Sequence, residues 1–147
     1  MKQLIKIGRT LYGIGIASLG VHQIITKTFR PEILPPFPAW AHKYDALPIV
    51  TGIVLIITGA AITGLSKIKT TLRKNICLWL GFIFLALIIT CHLPYILIFS
   101  PEKLSRLEVW FGAGEALAYS GGAFVMAGSF SDNRLSRNGK DSPGMPP

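Results

Sequence analysis

Four stretches of this chain stay apolar for about twenty residues or more, the length a helix needs to cross a ~30 Å hydrocarbon core. The first runs from Leu4 to Thr26, with Lys6 and Arg9 near its start and no charge from Thr10 onward. The second, Ala46 to Leu65, is uncharged throughout, and the third, Ile76 to Ser100, holds no lysine, arginine, aspartate or glutamate. The fourth, Val109 to Ser131, carries one carboxylate, Glu115. Backbone polar groups in lipid must be paired internally, and barrel strands would be about half this length and would alternate, so each run is read as a helix. The pattern predicts an all-α, integral membrane four-helix transmembrane bundle over residues 1–131.

The connections differ in kind. Residues 27–45 and the start of the second run contain Pro31, Pro35, Pro36, Pro38 and Pro48, too many for a long helix. This segment is expected to form an ordered cap, with Phe37, Trp40 and Tyr44 at the membrane interface. The next two connections are short and force antiparallel neighbours. Residues 132–147 are polar with glycines and prolines, and are expected to be a disordered tail.

Composition agrees with a membrane class: mean hydropathy is +0.49, and 15% of residues are charged against roughly 25% in an average soluble domain. The net charge of +8 is unevenly distributed. Lys2, Lys6, Arg9, Lys67, Lys69, Arg73, Lys74, Arg134, Arg137 and Lys140 flank one end of the bundle; Lys27, Arg30, Lys43, Lys103 and Arg106 flank the other. Basic residues accumulate on the cytoplasmic side, so both termini are expected in the cytoplasm. The same asymmetry accounts for the charge through lipid headgroups, without a nucleic-acid partner. The basic N-terminus resembles a signal peptide, but no small-residue cleavage pattern follows, and His22 and Gln23 interrupt the place for one. It is read as the first span.

Small residues mark packing faces. Gly114, Ala118 and Gly122 recur every four residues in the fourth run, Ala60 and Gly64 in the second, and Gly8, Gly13, Gly15, Ala17 and Gly20 thin the first. Trp79 and Trp110 fit aromatic belts.

Candidate chemistry is a matter of depth. His92 lies about eight residues, roughly 12 Å, from the outer end of its span. His22 is about four residues from the outer end of the first span, and Glu115 about six from that of the fourth. Gln23, Tyr95 and Tyr119 border the same layer. A carboxylate inside a span is disfavoured by about 2.5–3.5 kcal/mol at the centre, so Glu115 should face the bundle and find a partner, His22 or His92. Such a layer could hold a proton, receive a quinol hydroxyl or ligate a metal; it could equally tie helices together. Pro94 should kink the third span and free a carbonyl near Thr90. Cys77 and Cys91 stand about 21 Å apart along one helix and cannot bond to each other within the chain. Two histidines without further signature argue against haem, and no metal-ligand or phosphate-loop motif is present.

The segments "IGRTLYGIGIASLGVHQI", "GIVLIITGAAITG", "NICLWLGFIFLALIITCHLPY" and "ALAYSGGAFVMAGS" resemble the DoxX-like family of small four-helix bacterial membrane proteins, over roughly residues 5–130. The resemblance implies a multi-pass protein of the bacterial cytoplasmic (inner) membrane, linked to quinol oxidation and membrane oxidoreductase assemblies. The chain is accordingly expected to be an accessory or integral subunit of a membrane redox system rather than an enzyme on its own. Its ligand or proton site is expected at His22, Gln23, His92, Tyr95, Glu115 and Tyr119, with a quinone as the candidate occupant. Its partners are expected to be membrane lipids and other subunits of such a complex, and a homo-oligomer is compatible. The alternatives are a scaffold whose polar layer is structural and a small transporter component.

Overall fold

The computed structural model describes the backbone of residues 2–64 and 68–138, with side chains over 3–64 and 68–130. Among the described residues every regular element is helical: α1 (Lys2–Thr26), α2 (Ala46–Thr63), α3 (Thr70–Leu87) and α4 (Leu107–Asn138). Two wide π turns, Ile88–His92 and Tyr95–Phe99, prolong α3 on either side of Leu93 and Pro94. Three stretches are long and apolar enough to cross a membrane: Gln3–Thr26, Ala46–Thr63 and Thr70–Phe99. α4 is as long but more polar, with Glu108 and Glu115 in its first turns. It runs to Asn138, beyond the Ser131 at which the sequence pattern ends the fourth span; the tail from residue 139 lies outside the described residues.

The bundle is built from two antiparallel pairs. α1 and α2 meet glycine to glycine: a Cβ on Gly13 would fall 2.7 Å from the Gly59 carbonyl oxygen, and one on Gly52 would fall 2.7 Å from that of Gly20. Small residues let helix backbones approach this closely in lipid, where dispersion and not the hydrophobic effect drives association. α3 and α4 meet through Gly81, which receives the Phe124 ring, and through the Ser120 hydroxyl, which donates to the Gly81 carbonyl at 2.9 Å. Between the pairs, Ile16, Leu19, Leu55, Ile62, Cys77, Leu80, Phe84, Ala116 and Ala123 form the core.

Few polar ties join the pairs. The Tyr12 hydroxyl donates to the Tyr119 carbonyl at 2.6 Å, and its ring fills the space left by Gly122. Nearer the termini, Arg9 Nε donates to Ser129 Oγ at 2.8 Å, Nη2 donates to the Ser129 carbonyl, and the guanidinium lies 4.0 Å over the Phe130 ring. Arg9, a basic residue at the start of the first apolar run, is thus paired with α4.

Of the predicted packing triplet in α4, Gly122 is used within the chain, whereas Gly114 and Ala118 face outward. Gly64 serves not as a packing residue but as the left-handed stop of α2, with φ 89°. Lys27, with φ 53°, ends α1 in the same way.

The glycine contacts give a sign-resolved prediction. Gly20→Ala drives a methyl into the Gly52 backbone and is expected to cost about 1–3 kcal/mol. Gly15→Ala meets nothing within 4 Å and is expected to be neutral or to gain up to ~1 kcal/mol from helix propensity. Thermal unfolding of both variants in one detergent checks the contrast.

Candidate polar site and cavities beneath the proline cap

The segment between α1 and α2 folds back over one end of the bundle. The Arg30 carbonyl accepts from the amides of Ile33 and Leu34, each at 2.9 Å, closing a turn at Pro31. That turn lets Arg30 and Glu32 meet through two hydrogen bonds, at 3.0 and 2.6 Å. Ile33, Leu34 and Ala41 are buried, His42 Nε2 donates to the Pro35 carbonyl at 2.8 Å, and Phe37 stacks on Phe99 at 4.3 Å. Trp40 and Tyr44 remain exposed at the rim.

His92 fastens this cap. It is 2% exposed, with Nε2 3.0 Å from the Pro31 carbonyl oxygen and Nδ1 3.3 Å from that of Leu87. A carbonyl can only accept, so the bond to Pro31 requires the proton on Nε2. Gly112 of α4 completes the joint: a Cβ there would stand 2.7 Å from the same Pro31 oxygen. Cap, α3 extension and α4 therefore converge on one carbonyl.

Pro94 explains why the chain is shaped for this. It lacks the N–H that would bond the preceding turn, and the helix widens into π turns on both sides of it. Leu93 N–H bonds to Ile88 O, and the Thr90 hydroxyl donates to Ala86 O at 2.8 Å. The wide turn also directs adjacent residues to different cavities. Cys91 borders an apolar cavity of about 280 Å³, with Phe29, Leu34, Trp40, Leu47 and Thr51 among its walls. His92 and Tyr95 border a more polar pocket of about 250 Å³ that includes Lys103 and Glu108.

The six sequence-predicted site residues do not all border one space. His22 is exposed on α1. Gln23 is fully buried; its Oε1 accepts from Thr51 Oγ1 at 3.3 Å, while its Nε2 has no hydrogen-bond partner among the described residues. Thr51 has one hydroxyl proton and faces two closer acceptors, Leu47 O at 2.9 Å and Pro48 O at 3.1 Å, so its hold on Gln23 is weak. Among the described residues Glu115 hydrogen-bonds to neither histidine; the charged groups that act on it are Glu32 and Arg30. It also borders an outward groove of about 330 Å³ with Trp110, Phe111, Gly114 and Ala118.

Sequence reasoning missed Arg30, Glu32, Thr51 and the contribution of Cys91. The Arg-Pro-Glu step inside a proline-rich loop was the available signal, since a turn at the proline brings i and i+2 together. Comparison with family models, curated proteins and solved structures returned no match.

Two predictions follow from these contacts. Hydrogen bonds from the Arg30 guanidinium hold the Glu32 carboxyl below its ordinary value of 4.5, against the opposing effect of burial. A carboxyl lowered on folding contributes stability that is complete above the unfolded value and is lost as pH falls through the folded one. The unfolding temperature should therefore drop on acidification below about pH 4.5, and Glu32→Gln should flatten that part of the curve. Separately, Gly112→Ala should push Pro31 off His92 and cost about 1–3 kcal/mol, with faster amide exchange across residues 29–43.

Proposed function

We propose that this chain is a four-span protein of the bacterial cytoplasmic membrane, with both termini inside and no reaction of its own. It serves as an accessory subunit of a membrane redox system by receiving a neutral, lipid-soluble ring of the quinone class beneath its proline cap. Its resemblance to the DoxX-like segments supports the same placement.

The observation that carries this reading is an apolar cavity with an unsatisfied donor beside it. The space of about 280 Å³ is at the small end of ligand pockets, enough for one substituted ring whose isoprenoid tail stays in lipid. No charged residue lines it, which favours a neutral occupant. Gln23, bonded to the Thr51 of its wall, has a buried amide N–H₂ without an acceptor among the described residues, and leaving such a donor empty costs about 1–3 kcal/mol. A ring carbonyl reaching past Thr51 would accept from it. His92 then acts as the fastening of the roof, and the exposed His22 stands apart from the ligand.

A second reading, a partner or scaffold subunit, is favoured by the outer faces of α1 and α4. Gly8, Gly15, Gly114, Gly121 and Gly128 have nothing within 4 Å of a would-be Cβ, so these faces admit another helix at close range.

Cys91 provides the test, because it borders the cavity while Cys77 is fully buried. A short-tailed benzoquinone added to protein in nanodiscs should protect Cys91 from an apolar maleimide, read by intact mass. Gln23→Leu should weaken that protection about tenfold while leaving stability equal or higher, since it deletes an unpaired polar group. Absence of protection in the wild-type protein sinks the quinone reading. If Gly15→Leu and Gly121→Leu then release a co-purifying protein without lowering stability, the scaffold reading takes its place.

A further inference from the structure

The opposite end of the bundle, where α1 and α3 begin and α2 and α4 end, holds a cavity that the proposed function does not use. It measures about 390 Å³ and is lined by Ile5, Lys6, Arg9, Ile62, Thr63, Gly64, Arg73 and Phe130. Three cations from two helices thus border a single space, and no carboxylate is among its described lining residues.

The cations are set by the fold rather than by chance proximity. Arg9 is anchored by Ser129, which takes its Nε and one Nη2 proton, and by the face of Phe130. Its other three N–H groups make no hydrogen bond among the described residues, out of the five that a guanidinium carries. Arg73 Nη1 lies 3.1 Å from the would-be Cβ of Gly64, so its guanidinium rests over the left-handed end of α2. There it meets the roughly half-unit negative charge of that helix terminus. Ile5, Ile62 and Phe130 form an apolar wall beside the charged one. Apolar wall and cationic rim together match a molecule that is itself amphipathic.

We propose that this cavity binds a phosphate group, held by Lys6, Arg9 and Arg73, and that an anionic phospholipid headgroup supplies it. Basic pockets between transmembrane helices take acidic headgroups at the membrane surface, at about 1 kcal/mol for each lysine or arginine near that surface. This site is independent of the cavity beneath the proline cap, so either can fail without the other.

The test is native mass spectrometry of the full chain released from nanodiscs of phosphatidylcholine alone or with one-third phosphatidylglycerol. Wild type should retain one phosphatidylglycerol. Lys6→Gln and Arg73→Gln should each weaken retention about fivefold, the change that the loss of one near-surface charge brings. Lys27→Gln and Lys43→Gln, at the capped end, should leave it unchanged. Should Arg73→Gln fail to fold, Lys6→Gln decides alone, because that side chain makes no hydrogen bond within the described chain. A parallel arm follows the unfolding temperature in phosphatidylcholine as inorganic phosphate is raised. Stabilisation there, abolished by Lys6→Gln, keeps the phosphate site and makes its occupant the free ion; no stabilisation beside specific phosphatidylglycerol retention makes it the headgroup. Equal retention by wild type and Lys6→Gln, or no preference for phosphatidylglycerol together with no response to phosphate, overturns the proposal.

Discussion

In hydrocarbon an apolar side chain gains nothing by leaving lipid for a neighbouring helix, so α1 and α2 hold together by backbone contact at Gly13, Gly20, Gly52 and Gly59. That contact fixes how far apart the ends of the two helices stand, and hence the span that residues 27–45 must bridge. A connection of this length could loop outward. It folds inward because Leu34 and Ala41 have a surface to cover, formed by Leu47, Leu87 and Cys91, while Ile33 reaches the core between the helix pairs. Cap, cavity and the position of His92 all descend from the glycine contact.

The remaining architecture reflects a division of labour between apolar and polar contacts. Within each helix pair, glycines and small side chains allow close approach. Between the pairs, hydrogen bonds from Tyr12, Arg9 and His92 set the register, because each donor has one carbonyl or hydroxyl that it can reach. Such ties add little energy, ~1 kcal/mol each by comparison with bundles of known behaviour, yet a slipped register would leave them unpaired in a medium without water. The two cavities at the capped end and the basic one at the other lie where this polar registration replaces tight packing.

Much of the plan was legible in the residues. Runs of apolar residues locate the helices, and Pro94 correctly marks an irregular α3, though its form, two wide turns, depends on the carbonyls that neighbours can satisfy. The candidate site was legible only in part. Depth arguments put His22, His92 and Glu115 at one level but carry no angular information across helices. His22 lies on the exposed side of α1, opposite the glycines that face α2, and Glu115 finds Glu32 and Arg30 only because a proline turn brings them over α4. Gln23 adjoins His22 in the sequence, but what sets it apart in the structure is its own amide Nε2, unpartnered among the described residues. The small-residue spacing of Gly114, Ala118 and Gly122 could not tell an internal face from an external one; the Tyr12 ring decides it for Gly122 alone.

The joint between Pro31 and His92 links residues 61 apart in the chain. During synthesis the first helical hairpin and its roof segment emerge well before the histidine that secures them. At ~5–20 residues per second the interval is roughly 3–12 s. Until α3 is made, the roof segment has its own turn, the Arg30–Glu32 pair and the packing of Leu34 with Leu47 to order it. The joint to His92 can close only once α3 has been made, so the roof is the last part of the first hairpin to be fixed.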